Sequence, residues 1–97
     1  MKAFLLVYDS SKVSRDLVWK RLDKISEIAN WYSLFENTFC FASEKDARWL
    51  AARMRDEVIP DVRFVITEVE HGKKGGWLPR VIWDFMNRPK SPESSAA

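Results

Sequence analysis

Residues 2 to 8 of the chain are apolar on both alternating sets, Phe4/Leu6/Tyr8 and Ala3/Leu5/Val7, the pattern of a central strand covered on both faces. From Ser14 the period changes. Leu17, Val18, Leu22 and Ile25 fall at helical spacing, Asp16 and Lys20 are placed for an i,i+4 pair, and Ser14 supplies a cap. The runs "IANWYSLF" (28–35) and "TFCFA" (38–42) are rich in β-formers and flank Glu36-Asn37, a short polar turn that predicts a β-hairpin. Ser43 followed by Asp46 resembles a capping box with Asp in place of Glu. Ala47, Leu50, Ala51, Met54 and Val58 then mark one face of a second helix, supported by Glu44–Arg48 and Arg53–Glu57 pairs and closed by Pro60. Residues 62–69, "VRFVITEV", alternate as a fourth strand.

The order βαββαβ predicts an α+β domain with the ferredoxin-like split arrangement, two helices on one face of a four-stranded antiparallel sheet. The first and third strands are apolar on both faces, so the other side of the sheet needs a cover: the C-terminal segment, a second subunit or stacked bases. That segment, "HGKKGGWLPRVIWDFMNRP", reads as a glycine-rich basic hinge followed by a tryptophan-containing arm or short helix begun near Pro79. Trp77 and Trp83 are six apart and do not share a helical face, so one is expected on the sheet edge and the other on a neighbour. A single domain is expected over residues 1–88, with 89–97, "PKSPESSAA", a disordered tail.

Composition narrows the class. With 97 residues, 46% hydrophobic and 31% charged, the chain fits one domain, and a domain this small buries only about 60 to 65% of its unfolded surface. Five tryptophans and six phenylalanines are more apolar mass than such a core hides easily, which points to a partner surface. Trp19 and Trp49 lie off the apolar stripes of their helices, and no purpose for them is legible. No apolar run approaches the roughly 18 to 20 residues of a membrane span, and Asp9 stands where a signal peptide would still be hydrophobic. A cytoplasmic protein without a membrane partner is expected. The single Cys40 cannot form an intrachain disulfide and sits between phenylalanines, the setting of a buried reduced thiol.

Net charge is +2, too little to identify a nucleic-acid binder alone. The cations are grouped, however. Residues 12–24 carry Lys12, Arg15, Lys20, Arg21 and Lys24 against Asp16 and Asp23, and residues 73–90 carry Lys73, Lys74, Arg80, Arg88 and Lys90 against Asp84. Lys12, Arg15, Lys73, Lys74 and Arg80 are candidate contacts to RNA or DNA phosphates on one tracking surface; a solvated helix face accounts for the first group equally well.

Catalytic constellations are sparse. One His71 and one Cys40 give no zinc spacing and no support for a Ser-His or Cys-His pair, and His71 reads as a loop residue. "GKKGG" lacks the spacing of a P-loop or dinucleotide turn and reads as a hinge. Asp9 remains, at the end of the first strand. It is either a metal ligand or the acceptor of an Asx turn onto Ser11 or Lys12 that starts the next helix.

"VYDSS" (7–11) and "YSLFE" (32–36) resemble the Tyr-Asp and Ser-apolar-Phe-Glu stretches of the CRISPR-associated protein two superfamily. "GGWLPRVIWDF" (75–85) is similar to the Gly-Trp-Leu-Pro tail of its SinR-like branch; VapD-like ribonuclease toxins belong to the same group. The resemblance spans about residues 1–86. It implies a ferredoxin-like homodimer in which the aspartates of two copies face each other and hold Mg²⁺ for phosphodiester cleavage, with Asp9 as the catalytic and metal-binding position. Ser10 and Ser11 follow Asp9 where an apolar residue is common in the catalytic relatives, and no second acid or histidine lies close by in sequence.

Two other readings stay open from the residues. Phe39 and Phe41 form a Phe-x-Phe pair of the kind that stacks bases in RNA-binding sheets. A non-catalytic interaction module would use the bare sheet face or the tryptophan-rich arm to hold a protein partner.

Overall fold

In a computed structural model, residues 1–70 and 72–89 are described. The elements are β1 (Lys2–Tyr8), α1 (Arg15–Leu22), β2 (Ile28–Phe35), β3 (Thr38–Ser43), α2 (Ala47–Arg53), β4 (Phe64–Glu68) and α3 (Arg80–Asn87). The four strands form one antiparallel sheet in the order β2-β3-β1-β4, so the molecule is an α+β domain. The two strands whose sequences are apolar on both sides, β1 and β3, are the two central ones, where helices cover both faces of the sheet.

The face toward α1 and α2 holds the larger core. Phe4, Leu6, Tyr8, Phe39 and Phe41 meet Val18 and Leu22 of α1 and Leu50 of α2. Register places Phe4 opposite Phe41 and Leu6 opposite Phe39. The Phe4 and Phe41 rings stack at 5.6 Å and those of Tyr8 and Phe39 at 6.2 Å. Trp19 is half-buried and stacks on Trp31 of β2 at 5.8 Å, closing the edge of this core. Trp49 lies under the cations of Lys45 and Arg53, 5.1 and 5.2 Å from its ring. These contacts give both residues a place that their sequence spacing does not reveal.

Local capping follows the chemistry with one exchange of roles. The Ser14 hydroxyl accepts from Leu17 N–H and starts α1 as expected. For α2 the cap is Asp46, whose carboxylate accepts from Trp49 N–H at 2.8 Å, and not Ser43. Ser43 extends β3 by one residue and is fully buried; its hydroxyl donates to Glu27 O at 2.7 Å and accepts from Lys45 N–H at 3.1 Å. Past Arg53 the helix widens into a π turn, Met54–Val58, closed by Ile59 N–H donating to Met54 O at 2.8 Å. The turn buries Met54, Val58 and Ile59 together, and Arg21 Nη1 donates to Val58 O at 2.6 Å. Leu17, expected on the buried stripe of α1, is instead exposed. Of the helical ion pairs expected, Arg53–Glu57 forms, and Arg53 also meets Glu27 at 3.3 Å. Among the described residues Asp16–Lys20 and Glu44–Arg48 do not form; Glu44 meets the N-terminal ammonium.

The opposite face is not bare. Cys40 and Ala42 of β3 lie beneath Ile82, Phe85 and Met86 of α3, with Leu5, Tyr32, Leu34, Val69, Leu78 and Trp83 around them, and the Tyr32 and Phe85 rings meet edge-on at 4.9 Å. The C-terminal arm, one of three candidate covers, takes the seat. Of the two arm tryptophans, Trp83 packs on this cluster, while Trp77 is 99% exposed and so does not rest on the sheet edge. No helix of the described residues is long and apolar enough to cross a membrane. His71 and residues 90–97 of the expected 89–97 tail, Lys90 among them, lie outside the described residues.

Candidate functional site

Asp9 leaves the end of β1 between two neighbours that hold its backbone. Tyr8 N–H donates to Asn37 O of the β2–β3 turn, and Asp9 N–H donates to Arg63 O just before β4, both at 3.1 Å. The Tyr8 hydroxyl donates to Glu36 O at 2.9 Å, pinning the hairpin tip to the same corner. Burial raises the Tyr8 pKa above its ordinary 10.0, with Arg15 opposing and Glu36 adding to the shift.

The Asp9 carboxylate is exposed. Its Oδ1 accepts from Ser11 N–H at 3.0 Å and from Ser11 Oγ–H at 2.6 Å, while Lys12 N–H donates to the Asp9 carbonyl at 3.1 Å. This is the Asx turn that the sequence offers as the plain alternative to metal binding. The bonds from the Ser11 side chain and backbone, with smaller help from Lys12 and Arg63, hold the Asp9 pKa below its ordinary 3.8, so the group is an anion throughout the neutral range. Both protein bonds fall on Oδ1, and Oδ2 is left facing solvent. Among the described residues no three His, Cys, Asp or Glu side chains cluster as a metal site. The Asp9 carboxylate by itself offers one free oxygen, too few for Mg²⁺, which takes six ligands at near-octahedral geometry.

Beside Asp9 a depression open to solvent is lined by Ser10, Ser11, Lys12, Ser14, Arg15 and Glu36. Lys12 and Arg15 line this depression, close to the carboxylate and at the entrance of α1. The second basic group is placed differently. β4 runs antiparallel to β1, so Arg63 is near Asp9 while Val69 N–H donates to Ala3 O at the far end of the sheet. Lys73 and Lys74 follow that far end and turn onto Glu70, Lys73 Nζ at 3.5 Å from its carboxylate and Lys74 Nζ at 3.3 Å from its carbonyl. Arg80, on the first turn of α3, lies 4.0 Å from Asp84. The structure brings Lys12 and Arg15 together with Asp9 and does not bring Lys73 and Lys74 to that corner. Arg63 and Glu36 join the corner instead. Their signal is topological: they become neighbours of Asp9 only once β1 is known to lie between β3 and β4.

Beside the same corner the outer face of the sheet is covered only in part: Thr38 is buried and Val7 half-buried, while Phe35 and Val65 stand in solvent. Val7 pairs with Val65 of β4 and Thr38 of β3, and Thr38 pairs with Phe35. Directly opposed residues share a face, so these four form one row across the sheet. α3 packs on the rows nearer Leu5 and Ala42; Phe35 and Val65 are left 57% and 58% exposed.

Phe39 and Phe41, the candidate base-stacking pair, point to the other face and are completely buried. They cannot stack bases. Comparison with known proteins finds no match: no family model, no curated protein and no solved structure aligns significantly with this chain.

Proposed function

We propose that the protein works on nucleic acid as a homodimer whose two Asp9 carboxylates, brought together across a twofold axis, hold one Mg²⁺ and cut an RNA or DNA phosphodiester. The observation that carries this reading is the pairing of an ionised, half-free carboxylate with a partly exposed apolar row on the same end of the sheet. A second copy seated on Phe35, Val7 and Val65 bury apolar surface that a small monomer leaves in water, and an isologous contact places the same residues of both chains near the axis. Two carboxylates with waters and a substrate phosphate make an acceptable octahedral set where one does not.

We also read the architecture as ferredoxin-like. The order β2-β3-β1-β4, antiparallel throughout, with α1 and α2 over one face, supports that reading.

Each residue then has a task. Asp9 Oδ1 stays on Ser11, which fixes the carboxylate's direction, while Oδ2 faces the metal. Mg²⁺, when bound, supplies charge neutralisation at the phosphate and an activated water. Lys12, Arg15 and Arg63 hold the flanking phosphates, and affinity falls with salt accordingly. Glu36, at the rim, opposes them and restricts where the backbone runs.

Solution mass and a cleavage assay test the reading together. The wild type should behave as a dimer and cut RNA or DNA with Mg²⁺ but not with EDTA. Asp9→Asn keeps an oxygen for the Ser11 turn while removing the charge, so it should stay folded and dimeric and lose cleavage. Cleavage that survives Asp9→Asn and EDTA removes the metal role; a monomer at working concentrations removes the shared site. The alternative, a non-catalytic module binding a protein partner, rests on the same exposed row with Trp77 and Val81, and would appear as a dimer or complex with no cleavage under any metal.

A further inference from the structure

α3 is attached to the sheet in a way that no other helix is. Among the described residues, no hydrogen bond and no ion pair joins residues 72–89 to residues 1–69. The polar bonds of this segment stay within it or return to Glu70 at its root. The helix-covered face is tied differently, by Arg21 on Val58 O, Ser43 on Glu27 O and Arg53 on Glu27.

The approach to α3 is also free to swing. Gly72 has φ +78°, a conformation only glycine adopts cheaply, with open space around it, and Gly76 has φ +156° beneath the Trp83 ring. α3 starts at Pro79 without a side-chain cap. What holds it down is apolar contact alone: Ile82, Phe85 and Met86 on Tyr32, Cys40 and Ala42.

We propose that α3 is a strap that lifts from the sheet as a unit, hinged at residues 72–76, while the sheet and its helix-covered core stay folded. Lifting uncovers Cys40, fully buried when the strap is down, and extends the apolar row beside Asp9 into one continuous outer face. Local openings of this kind are common where an element is held by few contacts and no polar ties. The inference is independent of the nuclease reading.

Cys40 reports on the strap because it is the chain's one thiol. In the full-length protein its labelling by a small aromatic disulfide reagent should proceed without denaturant, at a rate that rises with urea far less steeply than global unfolding does. Phe85→Ala should speed labelling in buffer at least about tenfold and lower the urea midpoint, read from tryptophan fluorescence, by no more than the same free energy. Leu50→Ala, in the other core, should also lower the midpoint but leave labelling in buffer within about twofold of wild type. Three results overturn the strap: wild-type labelling that follows global unfolding, rates that track the midpoint in both variants, or a Phe85→Ala chain that does not fold, since the last makes α3 part of the cooperative core.

Discussion

The two faces of this sheet are made from the same two central strands and end up with different physics. Toward α1 and α2, Phe4, Phe39 and Phe41 are sealed under helices that are capped, cross-linked by polar bonds and edged by a Trp19–Trp31 stack. Toward α3, smaller residues, Cys40 and Ala42, lie under one uncapped helix that follows a glycine-containing segment, and at the end nearest Asp9 Phe35 and Val65 are left exposed. The first face specifies the fold. The second leaves surface available for another molecule, at the end of the sheet beyond which the ionised Asp9 carboxylate stands.

The sharpest way to break the comparison is to hollow the sealed face. Phe41→Ala removes a ring with no exposed surface and should cost about 3–5 kcal/mol, read as a lowered urea midpoint; a loss below about 1 kcal/mol would mean the two faces are equally loose. Ser43→Ala comes next. It removes the part-buried hydroxyl bonds to the Glu27 carbonyl and the Lys45 N–H and should cost about 1 kcal/mol in the same assay.

An effect of similar size probes the strap side through pH. Burial pushes the Cys40 thiol from its ordinary 9.0 up to about 12. The unfolded chain therefore releases this proton first. The contribution of the neutral buried thiol is complete below about pH 9 and lost as pH climbs toward 12, amounting to roughly 1.4 kcal/mol by pH 10. Cys40→Ala should flatten that slope between pH 8 and 10 relative to wild type; an unchanged slope would show that the thiol is not desolvated by α3. Smallest of all is Trp77→Ala, whose ring is almost wholly in water and whose loss should move folding stability by less than about 0.5 kcal/mol. A large change there would mean that Trp77 packs in the folded protein after all.

The sealed face is largely legible in the sequence because alternation and helical spacing report burial directly. Phe4/Leu6/Tyr8 and Leu50/Met54/Val58 announce themselves. The cap of α2 is misassigned to Ser43 because Ser43 and Asp46 both offer a capping oxygen, and only the extra residue of β3 decides between them. The π turn has no pattern of its own, since it is a backbone adjustment that buries Val58 and Ile59 together. On the other face, periodicity says that Leu5 and Cys40 need a cover and cannot say which of three covers arrives. Asp9 is visible as a strand-end acid, and the Asx turn it makes is one of the two roles its position offers. Its companions were only half visible: Lys12 and Arg15 are neighbours in sequence, Arg63 arrives through strand pairing, and Lys73 and Lys74 are carried away by the direction of β4.

The shared-carboxylate site is tested most directly by counting metal ions. Titrating the wild type with Mn²⁺ in place of Mg²⁺ and following free ion by electron paramagnetic resonance should give one tight site for every two chains, abolished in Asp9→Asn with the dimer mass unchanged. A site on each single chain, or binding that Asp9→Asn leaves intact, would contradict it.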